Sequence, residues 1–205
     1  DPAAKIAHRM CNKSSFIYEG QLVTQTDMVN NYGFCLINIG KIPEAVKVLK
    51  ACYDESVVSR ANLAYAYFLQ GNYSEAKSIL SKMVRKKMGI NYQTTFMHLA
   101  INHPELKNKH KIVEDCNLFS IIAWNAALIS AHLGDDITIV NSFFKKAIKR
   151  NHEVINKRVE SWIKYIKGDI DDSIRLSQEI INNYEDNSGI KDSINQDLKI
   201  FEKQL

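Results

Sequence analysis

Glycine and proline are scarce in this chain, 8 and 3 among 205 residues. Both residues interrupt regular elements, so their scarcity argues against many short strands and turns and for long uninterrupted helices. Cysteine is limited to Cys11, Cys35, Cys52 and Cys116, with no Cys-x-x-Cys pair and no regular spacing. Each sits among apolar neighbours and reads as a reduced, buried small hydrophobe, which points to a cytoplasmic setting rather than a disulfide scaffold. The Asn-x-Ser sequences at Asn12 and Asn72 would accept glycans only in a secreted protein. No apolar run approaches the roughly 18 residues that a spanning helix needs, so no membrane insertion is expected. A one-sided charge is lacking too: 27 basic residues stand against 23 acidic ones, a formal +4 that does not by itself imply nucleic acid. The chain opens on Asp1-Pro2 without a methionine or a signal-peptide pattern, and reads as a piece of a longer protein.

Catalytic and cofactor motifs are equally absent. There is no phosphate loop, no Gly-x-Gly-x-x-Gly and no His-Glu-x-x-His. His98, His103, His110 and Cys116 are the one cluster of metal-type side chains, but their spacings of five, seven and six share no helical face. Turn or surface histidines explain them better. Asp135, Asp136, Asp169, Asp171 and Asp172 gather where helices are expected to begin, and there the helix dipole accounts for them without a catalytic role. Lys82, Arg85, Lys86 and Lys87, then Lys145, Lys146, Lys149 and Arg150, gather at expected helix C-termini, where the dipole favours cations. No aromatics are interleaved for base stacking, which leaves RNA binding a subordinate option. The expectation is a non-enzyme: no catalytic residues, no metal, no cofactor and no small-molecule substrate.

What the chain does have is a repeat. Gly40 opens Gly-Lys-Ile-Pro-Glu-Ala-Val-Lys-Val-Leu, and 31 residues later Gly71 opens Gly-Asn-Tyr-Ser-Glu-Ala-Lys-Ser-Ile-Leu. Gly134 and Gly168 open weaker copies, each preceded by an apolar run of helical period. The pattern predicts a helix, a tight turn whose glycine takes the left-handed conformation, and a second helix packed back antiparallel. Tyr32-Gly33 before Gly40, then Ile42, Ala45, Leu49 and Cys52, and Leu63-Ala64 before Gly71, then Tyr73, Ala76, Leu80 and Met83, carry a resemblance to the tetratricopeptide repeat (TPR) family. The third copy has Ala126-Ala127 before Gly134 and needs one extra residue to bring Phe144 and Ala147 into register; the fourth has Glu160-Ser161, Ile170 and Ser173. The resemblance implies an all-α fold, a right-handed superhelix (α-solenoid) of antiparallel helix-turn-helix repeats. The boundaries read as one array: capping helices over 1–25, repeats over 26–56 and 57–87, a degenerate repeat over 88–117, repeats over 118–152 and 153–186, and a C-terminal capping helix over 187–205. That last helix would bury Ile190, Ile194, Leu198, Phe201 and Leu205.

In such stacks the first helix of each repeat lines a groove. Counting back nine from Gly40, Gly71 and Gly134 gives Asn31, Asn62 and Asn125, with Gln93 at the same place if the degenerate repeat keeps a 31-residue step. An amide offers a donor and an acceptor together and can pair with an extended peptide backbone without reading its sequence. TPR proteins commonly use asparagine here, so the resemblance implies that use; a solvated amide with no ligand is the competing explanation. Neighbouring groove positions are Phe34, Ile37 and Asn38, then Ala61, Tyr65, Phe68 and Leu69, then Trp124, Leu128 and His132, some of which belong to the core. Arg158 and Lys164 are the groove's nearest cations, and the carboxylate clamp of chaperone-binding relatives is not matched at Asn30 or Ile121. The leading expectation is a scaffold that binds a protein or peptide partner, compatible with a homo-oligomer. The alternative is a sensory or oligomerisation module of a larger regulator or multidomain enzyme.

Overall fold

The computed structural model describes residues 15–18, 21–94, 97–101, 111–112, 116–148, 153–183 and 190–205. Nine helices run through the described residues: α1 (Gln25–Asn38), α2 (Ile42–Ala51), α3 (Val57–Leu69), α4 (Tyr73–Arg85), α5 (Leu118–His132), α6 (Ile137–Ile148), α7 (Glu153–Ile166), α8 (Ile170–Asn183) and α9 (Ile190–Glu202). They pack as sequential antiparallel pairs, α1 on α2, α5 on α6 and α7 on α8, with α9 closing on α8. The chain divides into two compact units, Asp1–Ile79 and Leu80–Leu205, with the division inside α4.

Four turns are built alike. Gly40, Gly71, Gly134 and Gly168 have φ of 78°, 79°, 77° and 86°, in the left-handed region where a Cβ is strained. In the first, Gly40 N–H donates to Ile37 C=O (3.0 Å) and Lys41 N–H to Leu36 C=O (2.9 Å). The same pair recurs at Gly71 and Asn72, at Gly134 and Asp135, and at Gly168 and Asp169, so each first helix ends in a Schellman motif that satisfies its last carbonyls. The next helix begins two residues after the glycine at Ile42, Tyr73 and Ile170, but three after it at Ile137. The extra residue predicted for the third repeat lies in this turn, where Asp136 Oδ1 accepts from the Thr138 amide at 2.8 Å. Val140, Phe144 and Ala147 are buried accordingly, as Ala45, Leu49 and Cys52 are in the first repeat.

Small residues set the helix spacing. Ala45, Ala64, Ala76, Ala127, Ser161 and Ser173 are all at 0% exposure, and a Cβ on Gly33 would stand 2.5 Å from Leu49 Cγ. Side chains interdigitate there at close-packed density.

Two stretches differ from the helical expectation. Where capping helices are expected over 1–25, Ser15–Tyr18 (β1) pairs antiparallel with Gln21–Thr24 (β2), in register from Ser15↔Thr24 to Tyr18↔Gln21; residues 1–14 lie outside the described residues. Phe16, Ile17, Tyr18, Leu22, Val23 and Thr24 are aromatic, β-branched or apolar, residue types that favour strands on either side of the two-residue Glu19-Gly20 connection. Thr24 then opens α1 through a capping box with Asp27. The degenerate repeat expected over 88–117 is, in its described parts, not a helical hairpin. Gln93–Thr94 (β3) pairs with Cys116–Asn117 (β6), and Met97–His98 (β4) with Lys111–Ile112 (β5). Thr94, Thr95 and Phe96 favour extended backbone, and no 3.6-residue period runs through this segment to hold a helix.

α9 buries Ile194, Leu198 and Phe201 of the expected stripe, and Ile200 with them, while Leu205 stays 81% exposed. Phe201 packs edge-on against Trp162 (4.9 Å between centroids) and stacks on Tyr165 (4.7 Å).

Candidate functional site

The asparagine register divides between the two units. In the first, Asn31 and Asn38 are exposed on α1, with Phe34 half-buried between them. Asn62 on α3 is half-buried and donates from Nδ2 to Asn30 Oδ1 at 3.0 Å. Its neighbour across the helix pair is therefore Asn30, 8% exposed, and not Asn31. Tyr65, expected in the groove, is 5% exposed and packs near Phe68, with a centroid distance of 6.1 Å; burial pushes its phenol well above the ordinary range.

In the second unit every residue of α5 from Leu118 to Ala131 is buried. Trp124 and Leu128, expected on the groove, are at 0% exposure and belong to the core. Trp124 donates from Nε1 to Asn156 Oδ1 at 2.8 Å, a contact 32 residues along the chain, as is Asn62 to Asn30. First helices of successive repeats thus meet at a step of 32 in both units, one more than the spacing of Gly40 and Gly71 and two fewer than that of Gly134 and Gly168. Counting neighbours by that contact step rather than by the glycine step points to Asn30 and Asn156.

Asn125 is 7% exposed and fully engaged. Its Oδ1 accepts from the Ala100 amide at 2.8 Å, and its Nδ2 donates to the His98 carbonyl at 3.0 Å. Both halves of one side-chain amide therefore hold two backbone groups of a segment that enters from β4. His132, seven residues along the same helix, is half-buried; burial lowers its pKa, against an opposing hydrogen bond with the Ala100 backbone. Leu99, Ala100 and Ile101 are at 0%, 0% and 4% exposure. Gln93, expected on a first helix in the same register, sits instead in β3 opposite Asn117, so it does not extend the asparagine row.

The cations read as groove residues are spoken for. Arg158 is buried and donates from Nε to Asp197 Oδ2 at 2.7 Å and from Nη2 to Oδ1 at 3.2 Å. Lys164 bridges Asp169 (2.8 Å) and Asp172 (2.9 Å); those two carboxylates raise its pKa, and Lys164 followed by Arg175 lowers that of Asp172. Burial raises the thiol pKa of Cys35 and Cys52, so neither is an activated nucleophile. Among the described residues no group of three or more His, Cys, Asp or Glu side chains is placed to hold a metal ion. No described helix is long and apolar enough to cross a membrane. Two clefts open away from the asparagines. One of about 480 Å³ lies between Lys50, Tyr53, Leu63, Tyr67 and Glu75, and one of about 500 Å³ between Ile137, Asn141, Phe144, Glu160 and Ile163.

Neither a curated protein nor a solved structure matches the chain. A family model does: the Tetratricopeptide repeat matches residues 62–86, which hold the second half of α3, its Gly71 turn and α4. A repeat of this kind is an interaction module. That match falls on one of four glycine turns of one geometry, among helices in sequential antiparallel pairs, and supports a tetratricopeptide-type repeat at residues 62–86.

Proposed function

We propose that the chain is a non-catalytic scaffold that binds an extended peptide or helix of a partner protein along its first helices, with Asn31, Phe34, Asn38 and Asn62 of the first unit carrying the contact. One observation supports this above the rest. At the equivalent register position, Asn125 holds the chain's own backbone, the His98 carbonyl and the Ala100 amide, through both ends of its amide. The chemistry that a peptide-binding asparagine needs is therefore built at this place in the repeat, and in the first unit Asn31 presents it to solvent. The half-buried Phe34 beside it gives an apolar contact of the kind that anchors interfaces. The right-handed superhelix that the family resemblance implies belongs to the same reading.

The test is a quantified binding assay on a partner recovered with the intact chain. Asn31→Ala together with Asn38→Ala should weaken binding by about tenfold, the loss of one to two hydrogen bonds, while helicity and melting stay as they are. Unchanged affinity in that double variant overturns the reading.

A further inference from the structure

Asn125 and His132 are two of the residues that sequence spacing places on a partner-binding face, and both are already engaged by the chain itself. The engaged segment is His98–Ile101. It follows a two-residue strand, β4, whose described pairing is Met97↔Ile112 and His98↔Lys111. From the last residue of that strand onward, the His98 carbonyl and the Ala100 amide satisfy both ends of the Asn125 amide, and Leu99, Ala100 and Ile101 are buried. An incoming peptide would offer the same elements: a carbonyl, an amide two residues on, and an apolar side chain between them.

We infer that His98–Ile101 is an internal ligand of the second unit, a segment that leaves β4 through a bend at Ala100, occupies the Asn125 peptide site in cis and must leave before a partner segment of like chemistry can enter. The inference rests on the reading of this register as a peptide-holding position. Its consequence is regulatory. In the form seen here the Asn125 site is closed to partners, while Asn31 at the equivalent place in the first unit is exposed. The affinity of the second unit for an external peptide is reduced by the fraction of molecules in which the segment is released. The ligand class is narrow: an uncharged extended stretch with a large apolar residue followed by a small one, as Leu99-Ala100 are.

The experiment uses the full chain and a labelled synthetic peptide with the sequence of residues 95–103, read by fluorescence polarisation. Ala100→Pro removes the amide that Asn125 accepts from and loosens the segment. It should bind the peptide about tenfold or more tightly than the unaltered chain, since a larger fraction is open. Adding Asn125→Ala to that variant should abolish the gain. Equal affinities with and without Ala100→Pro, or a gain that survives Asn125→Ala, overturn the inference. Should Ala100→Pro fail to melt cooperatively, native-state hydrogen exchange of the unaltered chain decides. The Ala100 amide exchanging well before the amides of Ala126–Ile129 supports a releasable segment, and exchange together with them overturns it. Partner binding through Asn31 and Asn38 is measured on separate variants in the other unit, so a failure here leaves that result standing, and the reverse.

Discussion

At Gly33 the absence of a single methyl group sets how closely α1 and α2 approach. A Cβ there would meet Leu49 Cγ at 2.5 Å, and Leu49 is at 0% exposure with nowhere to move. Gly33→Ala gains about 1 kcal/mol of helix propensity, but overpacking a closed core costs about 1–3 kcal/mol. Denaturant unfolding should show net destabilisation, and a stabilised variant would refute this packing argument. The exposed Asn31 and the half-buried Asn62 separate in the same way. Asn31→Ala leaves stability unchanged, whereas Asn62→Ala strips the donor from the buried Asn30 carbonyl and should cost about 1–3 kcal/mol. His132 brings a pH dependence. Because burial lowers its pKa, the folded chain binds the imidazole proton less readily than the unfolded chain does. Its contribution to stability is therefore complete above about pH 6.5 and is lost as pH falls from there through the folded value. Melts at a series of pH values should show this decline, and His132→Gln should flatten it.

Among elements, the turn after a first helix is the recurrent part. Four glycines adopt it, and α4 ends on the same hydrogen-bond pair without one: Lys87 N–H donates to Val84 C=O and Met88 N–H to Met83 C=O, with Lys87 at φ 52°. A side chain there carries the left-handed penalty of about 1–2 kcal/mol. Lys87→Gly should therefore raise the unfolding midpoint, and Gly71→Ala should lower it by a similar amount, since nothing but backbone strain opposes a Cβ at Gly71. If both substitutions shift the midpoint the same way, the turn is not what limits these helix ends. The four glycine turns were legible from residue identity and spacing because the constraint is local: only glycine takes that φ without strain, and its neighbours are fixed by chain connectivity. The hairpin of β1 and β2 left little local signal, since each strand is four residues long and its adjacent apolar residues, Phe16-Ile17 and Leu22-Val23, suit a helix as well as a strand. The strands between α4 and α5 were not legible. Each is two residues long, too short for any periodicity to report, and the pairing partners lie up to 24 positions apart.

Each unit, taken as a whole, shows what repeats alone do not dictate. In the second, Arg158 and Asp197 lie 39 residues apart, at 4% and 0% exposure, and join α7 to α9 through a two-point ion pair. Removing one partner strands a buried charge: Asp197→Ala should cost about 3–5 kcal/mol, while Arg158→Met combined with Asp197→Leu should cost far less or nothing. Equal losses in the single and double variants would contradict the burial of the pair. Sequence reading placed Arg158 beside a groove because its helix position allows that, and a carboxylate on a later helix is invisible to any local pattern. The same limit governs the binding face. Asn125, Trp124 and Leu128 were expected on a groove, but Trp124 and Leu128 are core residues and Asn125 holds the backbone of His98 and Ala100. The sequence by itself determined the helices, the four turns, the small residues at their crossings and the extra residue in the third repeat, because each follows from backbone sterics or from the period of apolar residues over a few turns. Only the tertiary structure decided which asparagines remain open and which already hold the chain's own backbone, because that depends on contacts between segments 25 and more residues apart, for which local propensity carries no signal.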